Sequence, residues 1–376
     1  MRIVVAPQEF KGSLTATQAA HAIAAGVRSA SVGVEAVEIP MSDGGPGFVD
    51  AMLTARGGHR VHATCADPLM RPVRAAFGLL PDGVAVIEMA AASGLLLLKP
   101  PERNPRLATT FGTGELIAAA LGRGARAIIV GVGGSATVDA GAGAMQALGA
   151  RLLDAAGRDL PRGGEALGRL ERIDLAARDR RLLGASVRVA TDVRNPLCGP
   201  EGAAAVFGPQ KGASSDDVRI LDASLRRFAD VVQRDCGVDV RGMPGSGAAG
   251  GLAAGLVAVA GATLEPGFDL VADVTGLDAL IASCDAVITG EGRLDAQTPF
   301  GKTVAGVAAI ARAHGKPVAV IAGTVDPAFD PSTAFDAVEP LSSPGLSLDE
   351  AMRLAGPLAR AAAARVALRL ADRPRR

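Results

Sequence analysis

Short apolar segments typical of β-strands alternate with segments of helical spacing at both ends of the chain. Residues 2–6 (RIVVA) are largely β-branched, residues 13–30 place apolar side chains at helical intervals, and residues 34–40 (VEAVEIP) alternate apolar and polar. In the last third, the predicted elements are strand 286–289, helix 304–314, strand 318–322, strand 335–340 and helix 348–370. Strands that alternate with helices form a parallel sheet with right-handed crossovers. We therefore predict a parallel α/β domain built from both chain ends.

The middle of the chain has a different pattern. Residues 61–66, 73–80 and 84–89 read as short strands joined by turns such as Pro81-Asp-Gly83, which is typical of hairpins. Further elements are predicted as helices 114–121, 140–148, 216–235 and 250–260 and strands 127–132 and 187–191. We predict a mixed α+β domain inserted at 66–260, a sheet domain made of 1–65 plus 261–376, and an active site in the cleft between them.

Length and charge exclude several classes of protein. A chain of 376 residues is long enough for two or three domains. Its 39 basic and 39 acidic residues leave no net charge, and it has no Trp or Tyr, which argues against a nucleic-acid-binding surface. The apolar stretch 244–264 is too rich in Gly and Ala for a membrane span. Four scattered cysteines without a C-x-x-C pair favour reduced thiols and a cytoplasmic location.

Glycine is concentrated in loops at predicted strand-to-helix junctions. The chain has 48 Gly, about twice the usual share of ~7%. Five clusters combine Gly with Ser, Thr, Asp or Glu, at 42–45, 111–115, 131–139, 245–251 and 290–295. A glycine-rich turn before a helix presents backbone N–H groups to anions, and carboxylates beside it can hold Mg²⁺. These clusters predict a phosphoryl-transfer site.

Two segments, 296–303 and the glycine cluster at 245–250, resemble nucleotide-binding motifs. Residues 296–303 (AQTPFGKT) end like a Walker A motif, but Ala296 replaces its first Gly. Residues 245–250 fit G-x-G-x-x-G, yet the residues before them do not form a predicted strand. Of the 39 basic residues only five are Lys, namely Lys11, Lys99, Lys211, Lys302 and Lys316. A Lys retained against such an Arg bias suggests a site that needs a compact ammonium.

Nine segments in chain order resemble the bacterial class I glycerate kinase family. They are 6–14 (APQEFKGSL), 41–45 (MSDGG), 88–94 (EMAAASG), 111–117 (FGTGELI), 133–137 (GGSAT), 192–200 (DVRNPLCGP), 206–212 (VFGPQKG), 247–251 (GAAGG) and 290–297 (GEGRLDAQ). The resemblance implies a two-domain fold with a Rossmann-like part and ATP-dependent phosphorylation of D-glycerate, typically at the 2-hydroxyl, with Mg²⁺. The sequence departs from the family pattern at Gln8, Glu9, Pro46, Phe48, Val138 and Ala140.

Site residues are predicted on these motifs. We predict Asp43 and Asp192 as general base and Mg²⁺ ligand, in either order, with Lys11 and Arg293 binding anionic groups. Substrate- or nucleotide-binding roles are predicted for Ser13, Gly44, Gly45, Gly133, Gly134, Ser135, Thr137, Asn195, Glu291 and Lys302. Predicted metal ligands are Asp192, Asp139 and Asp295.

Other functions stay open at the level of sequence. A kinase of this type could act on a related small hydroxy acid or give 3-phosphoglycerate. The 245–250 segment leaves a NAD(P)-dependent oxidoreductase as an alternative, and the departures leave a non-catalytic metabolite-binding homologue. The predicted partners are a small-molecule substrate and ATP, without nucleic acid or membrane, and a homo-oligomer is left open.

Overall fold

The chain folds into two compact units. The computed structural model describes residues 1–30, 32–295, 302–342 and 345–371. The first unit consists of Met1–Ser42, Asp50–Gly57 and Phe268–Arg376, and the second of Asp43–Val49 and Gly58–Gly267. The second unit extends further than 66–260 because strands at both of its ends pair with its central strands.

Both units contain strands and helices. The strands are β1 (Arg2–Pro7), β2 (Glu35–Glu38), β3 (His59–Ala66), β4 (Pro72–Leu79), β5 (Val84–Glu88), β6 (Ala127–Gly131), β7 (Arg151–Leu153), β8 (Arg172–Asp174), β9 (Ser186–Ala190), β10 (Thr263–Glu265), β11 (Ala286–Leu294), β12 (Val318–Val325) and β13 (Ala337–Pro340). The α-helices are α1 (Ala16–Ala30), α2 (Phe48–Arg56), α3 (Ala90–Ser93), α4 (Phe111–Gly122), α5 (Ala142–Ala147), α6 (Ala203–Phe207), α7 (Ser215–Cys236), α8 (Ala248–Ala260), α9 (Gly267–Thr275), α10 (Leu277–Ala282), α11 (Lys302–Ala313), α12 (Leu348–Arg353) and α13 (Ala355–Ala371).

The sheet of the first unit is parallel, as predicted. Its strand order is β13-β12-β11-β1-β2. Strand β1 is buried from Ile3 onward and β11 is buried at Ala286–Gly290, because helices cover the sheet. Helix α1 begins after Thr15, whose Oγ1 accepts from the amide of Gln18 at 3.2 Å. Helix α1 lies close to α13, since a Cβ on Gly26 would stand 2.1 Å from the Arg360 oxygen.

The main sheet of the second unit is mixed. Strands β3, β4 and β5 form the predicted antiparallel hairpins, whereas β5, β6, β9 and β10 run parallel, in the order β10-β9-β6-β5-β4-β3. The core is made of apolar side chains from this sheet and from α4, α5, α7 and α8. Helix α7 carries a capping box between Ser214 and Asp217, which fixes its first residue.

The C-terminal segment differs from its prediction. The helical spacing of 348–370 predicts one helix, but the chain forms α12 and α13 with a break at Leu354. Pro357 explains the break, because a proline ring would clash with the Arg353 carbonyl in a continuous helix. Helices α2, α3, α6, α9 and α10 and strands β7, β8 and β10 had no predicted counterpart. Within the described residues, we find no helix both long and apolar enough to cross a membrane.

Candidate active site

The carboxyl ends of four parallel strands meet at one edge of the second unit's sheet. Here β5 ends at Glu88, β6 at Gly131, β9 at Ala190 and β10 at Glu265. Ligands of parallel α/β sheets bind at such edges, where loops leave the strands. The loops that follow carry the predicted residues Gly133–Thr137 and Asp192. The second unit therefore gathers much of the predicted site at one edge.

The loop with Asp43, Gly44 and Gly45 packs directly onto this edge. The Gly133 amide donates to the Gly44 oxygen at 3.1 Å. A Cβ on Gly133 would lie 2.5 Å from Cα of Gly45, and one on Gly44 would lie 2.7 Å from the Ala190 oxygen. Glycine is required at these positions for close backbone approach, and the Gly133 N–H is used within the protein.

The structure brings Asp43 and Asp192 together through Gly267. The Gly267 amide donates to Oδ1 of Asp192 at 3.0 Å. A Cβ on Gly267 would lie 2.2 Å from the backbone carbonyl oxygen of Asp43. Asp43 is exposed, and its Oδ1 accepts from the Gly45 amide at 3.0 Å. Asp192 is half-buried. Two carboxylates, each oriented by a backbone amide, thus stand at the same strand ends.

Glu88 is a site residue that the sequence prediction did not single out. It lies at the carboxyl end of β5, half-buried, and accepts from the Val49 amide at 2.7 Å. Burial raises the pKa of Glu88, and hydrogen bonds from the amides of Val49 and Gly47 oppose that rise. The signal was a lone Glu that ends the apolar run Val84–Ile87. Glu88 holds the far end of the loop that begins at Asp43.

The loop after β6 is held by a buried lysine. Lys211 is 2% exposed. Its Nζ donates to Ser135 Oγ at 2.7 Å and to the backbone carbonyl oxygen of Thr137 at 2.8 Å. Burial lowers the pKa of Lys211 to about 7, and the negative charge of Asp139 opposes this shift. Ser135 is half-buried and Gly134 exposed, whereas Thr137 is fully buried. Of these predicted binding residues, Gly134 is exposed and Ser135 is partly exposed.

Asp139 is fully buried and accepts several hydrogen bonds. Its Oδ2 accepts from the Thr110 amide at 2.8 Å, Thr110 Oγ1 at 2.9 Å and the Gly143 amide at 3.2 Å, and its Oδ1 from the Gly141 amide at 3.1 Å. Burial raises the pKa of Asp139, and these hydrogen bonds oppose the rise. Both oxygens are engaged by the protein, which is the environment of a loop-organising carboxylate.

Asn195 stabilises the loop that follows Asp192. Its Nδ2 donates to the Glu201 oxygen at 2.8 Å, and its own carbonyl accepts from the Gly247 amide at 3.1 Å. A Cβ on Gly250 would lie 1.9 Å from the backbone carbonyl oxygen of Thr137. The glycine-rich segment 245–251 therefore packs against both the Asp192 loop and the Ser135 loop.

The first unit has its own carboxyl edge, where β1, β11 and β12 end. The Gln8 amide donates to the Gly290 oxygen at 2.8 Å, and a Cβ on Gly292 would lie 3.1 Å from the Lys11 nitrogen. Lys11 is exposed, and Ser13 Oγ donates to the Phe10 oxygen at 2.9 Å. The predicted residues of the first loop thus lie beside β11.

Arg293 stands between two carboxylates at this edge. Its Nε lies 3.2 Å from Oδ2 of Asp295, and its Nη2 lies 3.0 Å from Oδ2 of Asp326. Asp326 was not predicted. Hydrogen bonding from the Ala328 amide, and then from the Arg293 guanidinium, lowers the pKa of Asp326.

Glu291 is half-buried in β11. Lys302 is the first residue of α11, and most of the Walker-like segment, 296–301, lies outside the described residues.

Comparison with known proteins decides the family. The model of the glycerate kinase family matches residues 3–371. The chain belongs to the glycerate kinase family. It is 48% identical to a glycerate kinase of Bacillus subtilis (strain 168), over 86% of this chain and 85% of that protein. It is 46% identical to a glycerate 2-kinase of Escherichia coli (strain K12), over 94% and 93%.

A solved structure extends the similarity to the fold. A crystal structure from Salmonella typhimurium LT2 described as glycerate kinase 2 superposes with a TM-score of 0.90 at 46% identity. It covers 99% of this chain and 98% of that one. The predicted family and the predicted α/β class are confirmed.

The segment 245–250 lacks the context of a dinucleotide site in this glycerate kinase family member. Residues 244–247 form a turn before α8 instead of continuing a strand. Ala249, Gly250 and Gly251 have left-handed backbone angles, with φ of 53°, 68° and 92°. Gly250 and Gly251 pack closely against neighbouring loops. They do not lie in the strand-to-helix turn of a βαβ unit.

The site fits Mg²⁺ only as a partner of nucleotide phosphates. Across the part of the chain that the structure describes, no three or more His, Cys, Asp or Glu side chains group as metal ligands. Mg²⁺ in phosphoryl-transfer sites takes one or two protein carboxylates together with phosphate oxygens and water. Asp192, at the strand ends, is a carboxylate of this kind, whereas Asp139 is fully buried with both oxygens bonded to the protein.

Proposed function

We propose that this chain transfers the γ-phosphoryl group of ATP to the 2-hydroxyl of D-glycerate, giving 2-phosphoglycerate. Membership of the glycerate kinase family supports the acceptor, and the similarity to a glycerate 2-kinase supports the position. The observation that carries the proposal is the convergence of Asp43, Asp192 and the Ser135 loop on one edge of a parallel sheet.

Asp43 is proposed as the general base. Phosphoryl transfer needs a group that accepts the proton of the attacking hydroxyl, and an Asp fills that role in other kinases. Asp43 is exposed at the strand ends, and one of its oxygens is held by the Gly45 amide. We assign the other carboxylate oxygen of Asp43 to the proton of the glycerate hydroxyl.

Asp192 is proposed as the carboxylate that binds Mg²⁺ carried by the nucleotide. When bound, Mg²⁺ would neutralise charge on the phosphate oxygens. The Gly267 amide holds Oδ1 of Asp192 and so fixes the direction of the carboxylate. Asp139 and Asp295 are assigned supporting roles: Asp139 organises the Thr110 and Gly141 loops, and Asp295 orients Arg293.

Positive charge must be supplied locally, because the chain has no net charge. Glycerate carries one negative charge and ATP about four, so binding requires placed cations. Lys11 and Arg293 are proposed for this role because both belong to the carboxyl edge of the first unit's sheet. Asp295 and Asp326 pair with Nε and Nη2 of Arg293 and so hold its planar guanidinium in a fixed orientation.

The test is an assay of ADP release from ATP with D-glycerate, with the product position determined by ³¹P NMR. We expect Asp43→Asn to lower kcat by roughly 10²–10⁴-fold, the usual contribution of a general base. Asp192→Asn should raise the Mg²⁺ concentration needed for half-maximal rate. Asp82→Asn, in an exposed hairpin turn, is the matched control and should keep wild-type rates. Wild-type kcat in both active-site variants would refute the assignment, and 3-phosphoglycerate as product would refute the position.

A further inference from the structure

Lys211 is a buried cation that the roles proposed above leave unused. Removing an ammonium from water costs free energy, and only part of that cost is offset by hydrogen bonds. Among the lysines whose side chains the structure describes, Lys11 and Lys99 are exposed and Lys316 is half-buried, while Lys211 is 2% exposed. A buried, hydrogen-bonded cation beside the predicted site is a candidate for a specific task there.

The backbone of the Ser135 loop is already fixed by other contacts. The Leu95 amide donates to the Gly134 oxygen at 2.9 Å, the Ala136 amide donates to the Ser93 oxygen at 2.9 Å, and the Gly133 amide donates to Gly44. These bonds hold the loop on both sides of Ser135. The bond from Lys211 Nζ to the Thr137 carbonyl adds to this backbone support, whereas the bond to Ser135 Oγ acts on a side chain.

The direction of this hydrogen bond determines what the serine can do. While Lys211 is protonated, its ammonium has three donors and no acceptor, so Ser135 Oγ accepts from it. The serine proton is then left to be donated elsewhere, and Ser135 is half-buried at the carboxyl edge that carries Asp192. A hydroxyl polarised by a cation is a strong donor to an anionic oxygen.

We propose that Lys211 is a positioning residue, which fixes the Ser135 hydroxyl so that it donates to an anionic oxygen of a substrate. The oxygen belongs either to a phosphate of the nucleotide or to the carboxylate of glycerate, which share this chemistry. Only the identity of these ligands rests on the proposed function.

The test is a double-mutant cycle with Ser135→Ala, Lys211→Met and the double variant. Binding of ATP–Mg²⁺ and, separately, of D-glycerate is measured by calorimetry at pH 6.0, where Lys211 is protonated, together with kcat and KM. We expect each single variant to weaken one of the two ligands by roughly tenfold, the lower range for a charged hydrogen bond. The double variant should be no weaker than the single ones, because Lys211 acts through Ser135.

The outcomes separate a positioning role from a structural one. Loss confined to ATP, or confined to glycerate, supports the proposal and identifies the oxygen. Losses that multiply in the double variant, or wild-type binding by Ser135→Ala, overturn it. If Lys211→Met does not fold, Lys211→Gln takes its place in the cycle, and Ser135→Ala alone still decides whether the hydroxyl binds. Failure of the wild type to phosphorylate glycerate would refute the proposed function, while the binding cycle would still judge the role of Lys211.

Discussion

The two carboxyl edges of this protein carry polar groups in opposite environments. In the second unit, Asp139 and Lys211 are buried, Glu88 is half-buried, and all three contact the protein's own loops. In the first unit, Lys11 is exposed and the Arg293 side chain is 64% exposed, with its ion pairs in contact with solvent. The same strand-end geometry thus supports a fixed framework in one unit and solvated charges in the other.

This difference predicts two kinds of mutational response. Buried polar groups that satisfy one another contribute to both stability and geometry, so their loss leaves donors without partners. Exposed charges contribute little to folding but attract anions over distance, and salt screens that attraction. Variants that remove Asp139 or Glu88 should therefore change stability or kcat, and variants of the exposed Lys11 should change KM.

The largest effect is expected at Asp139. Asp139→Ala leaves the buried amides of Thr110, Gly141 and Gly143 without their acceptor, and should cost roughly 3 kcal/mol of stability. Asp295→Ala, at the first edge, removes a carboxylate that is 29% exposed and should cost under about 0.5 kcal/mol. Urea denaturation followed by circular dichroism measures both. Equal losses in the two variants would remove the distinction between the edges.

Glu88 should follow next, with an effect on catalysis. Glu88→Ala releases the amides of Gly47 and Val49 and so loosens the loop that begins at Asp43. Misplacing a reacting group by about 1 Å can cost about 10²-fold in rate, so we expect kcat to fall by roughly 10–100-fold. Glu171→Ala is the control, since Glu171 is an exposed partner of Arg227 and Arg234. A Glu88→Ala kcat within twofold of the wild type would contradict the anchoring role.

Lys11 should show the behaviour expected of the first edge. Lys11→Ala is expected to raise KM for one substrate by roughly tenfold at low salt, with an unchanged unfolding midpoint. The ratio of mutant to wild-type KM should shrink as KCl is raised from 20 to 500 mM, since the Debye length falls from more than 20 Å to less than 5 Å. Lys99→Ala, which removes another exposed lysine, should leave KM unchanged. A salt-independent ratio would argue that Lys11 acts from a desolvated position.

The sequence predicted some parts of the fold better than others. The β-branched runs of β1, β11 and β12 indicated the parallel sheet of the first unit, because buried parallel strands read as continuous apolar segments. The hairpins of β3 to β5 followed from the turn at Pro81-Asp-Gly83. The break at Leu354 was missed, although Pro357 was the signal for it.

Side-chain roles were harder to predict, because burial depends on contacts that are distant in sequence. Asp139 looked like a metal ligand by its place in a glycine-rich loop, yet its oxygens bond to Thr110, which lies 29 residues earlier. Lys211 and Ser135 are 76 residues apart. The link from Gly267 to Asp43 and Asp192 joins three segments that no local pattern connects. The residue types indicated the chemistry, and only the fold showed which of them meet.

The smallest expected effect concerns backbone strain beside the second edge. Ala140 has a left-handed φ of 53°, and its amide donates to the Gly250 oxygen at 2.9 Å. An L-residue in this region costs about 1–2 kcal/mol relative to glycine. Ala140→Gly relieves that strain, which stabilises the fold. It also loses a buried methyl group and raises the entropy of the unfolded chain, which destabilise it, so stability should change by less than about 0.5 kcal/mol.

Ala144→Gly is the matched comparison, because Ala144 is equally buried within α5. Without strain to relieve, it should cost about 1–2 kcal/mol. If both variants lose the same amount in urea denaturation, the left-handed conformation at Ala140 carries no strain, and hydrogen bonds alone hold the second edge in place.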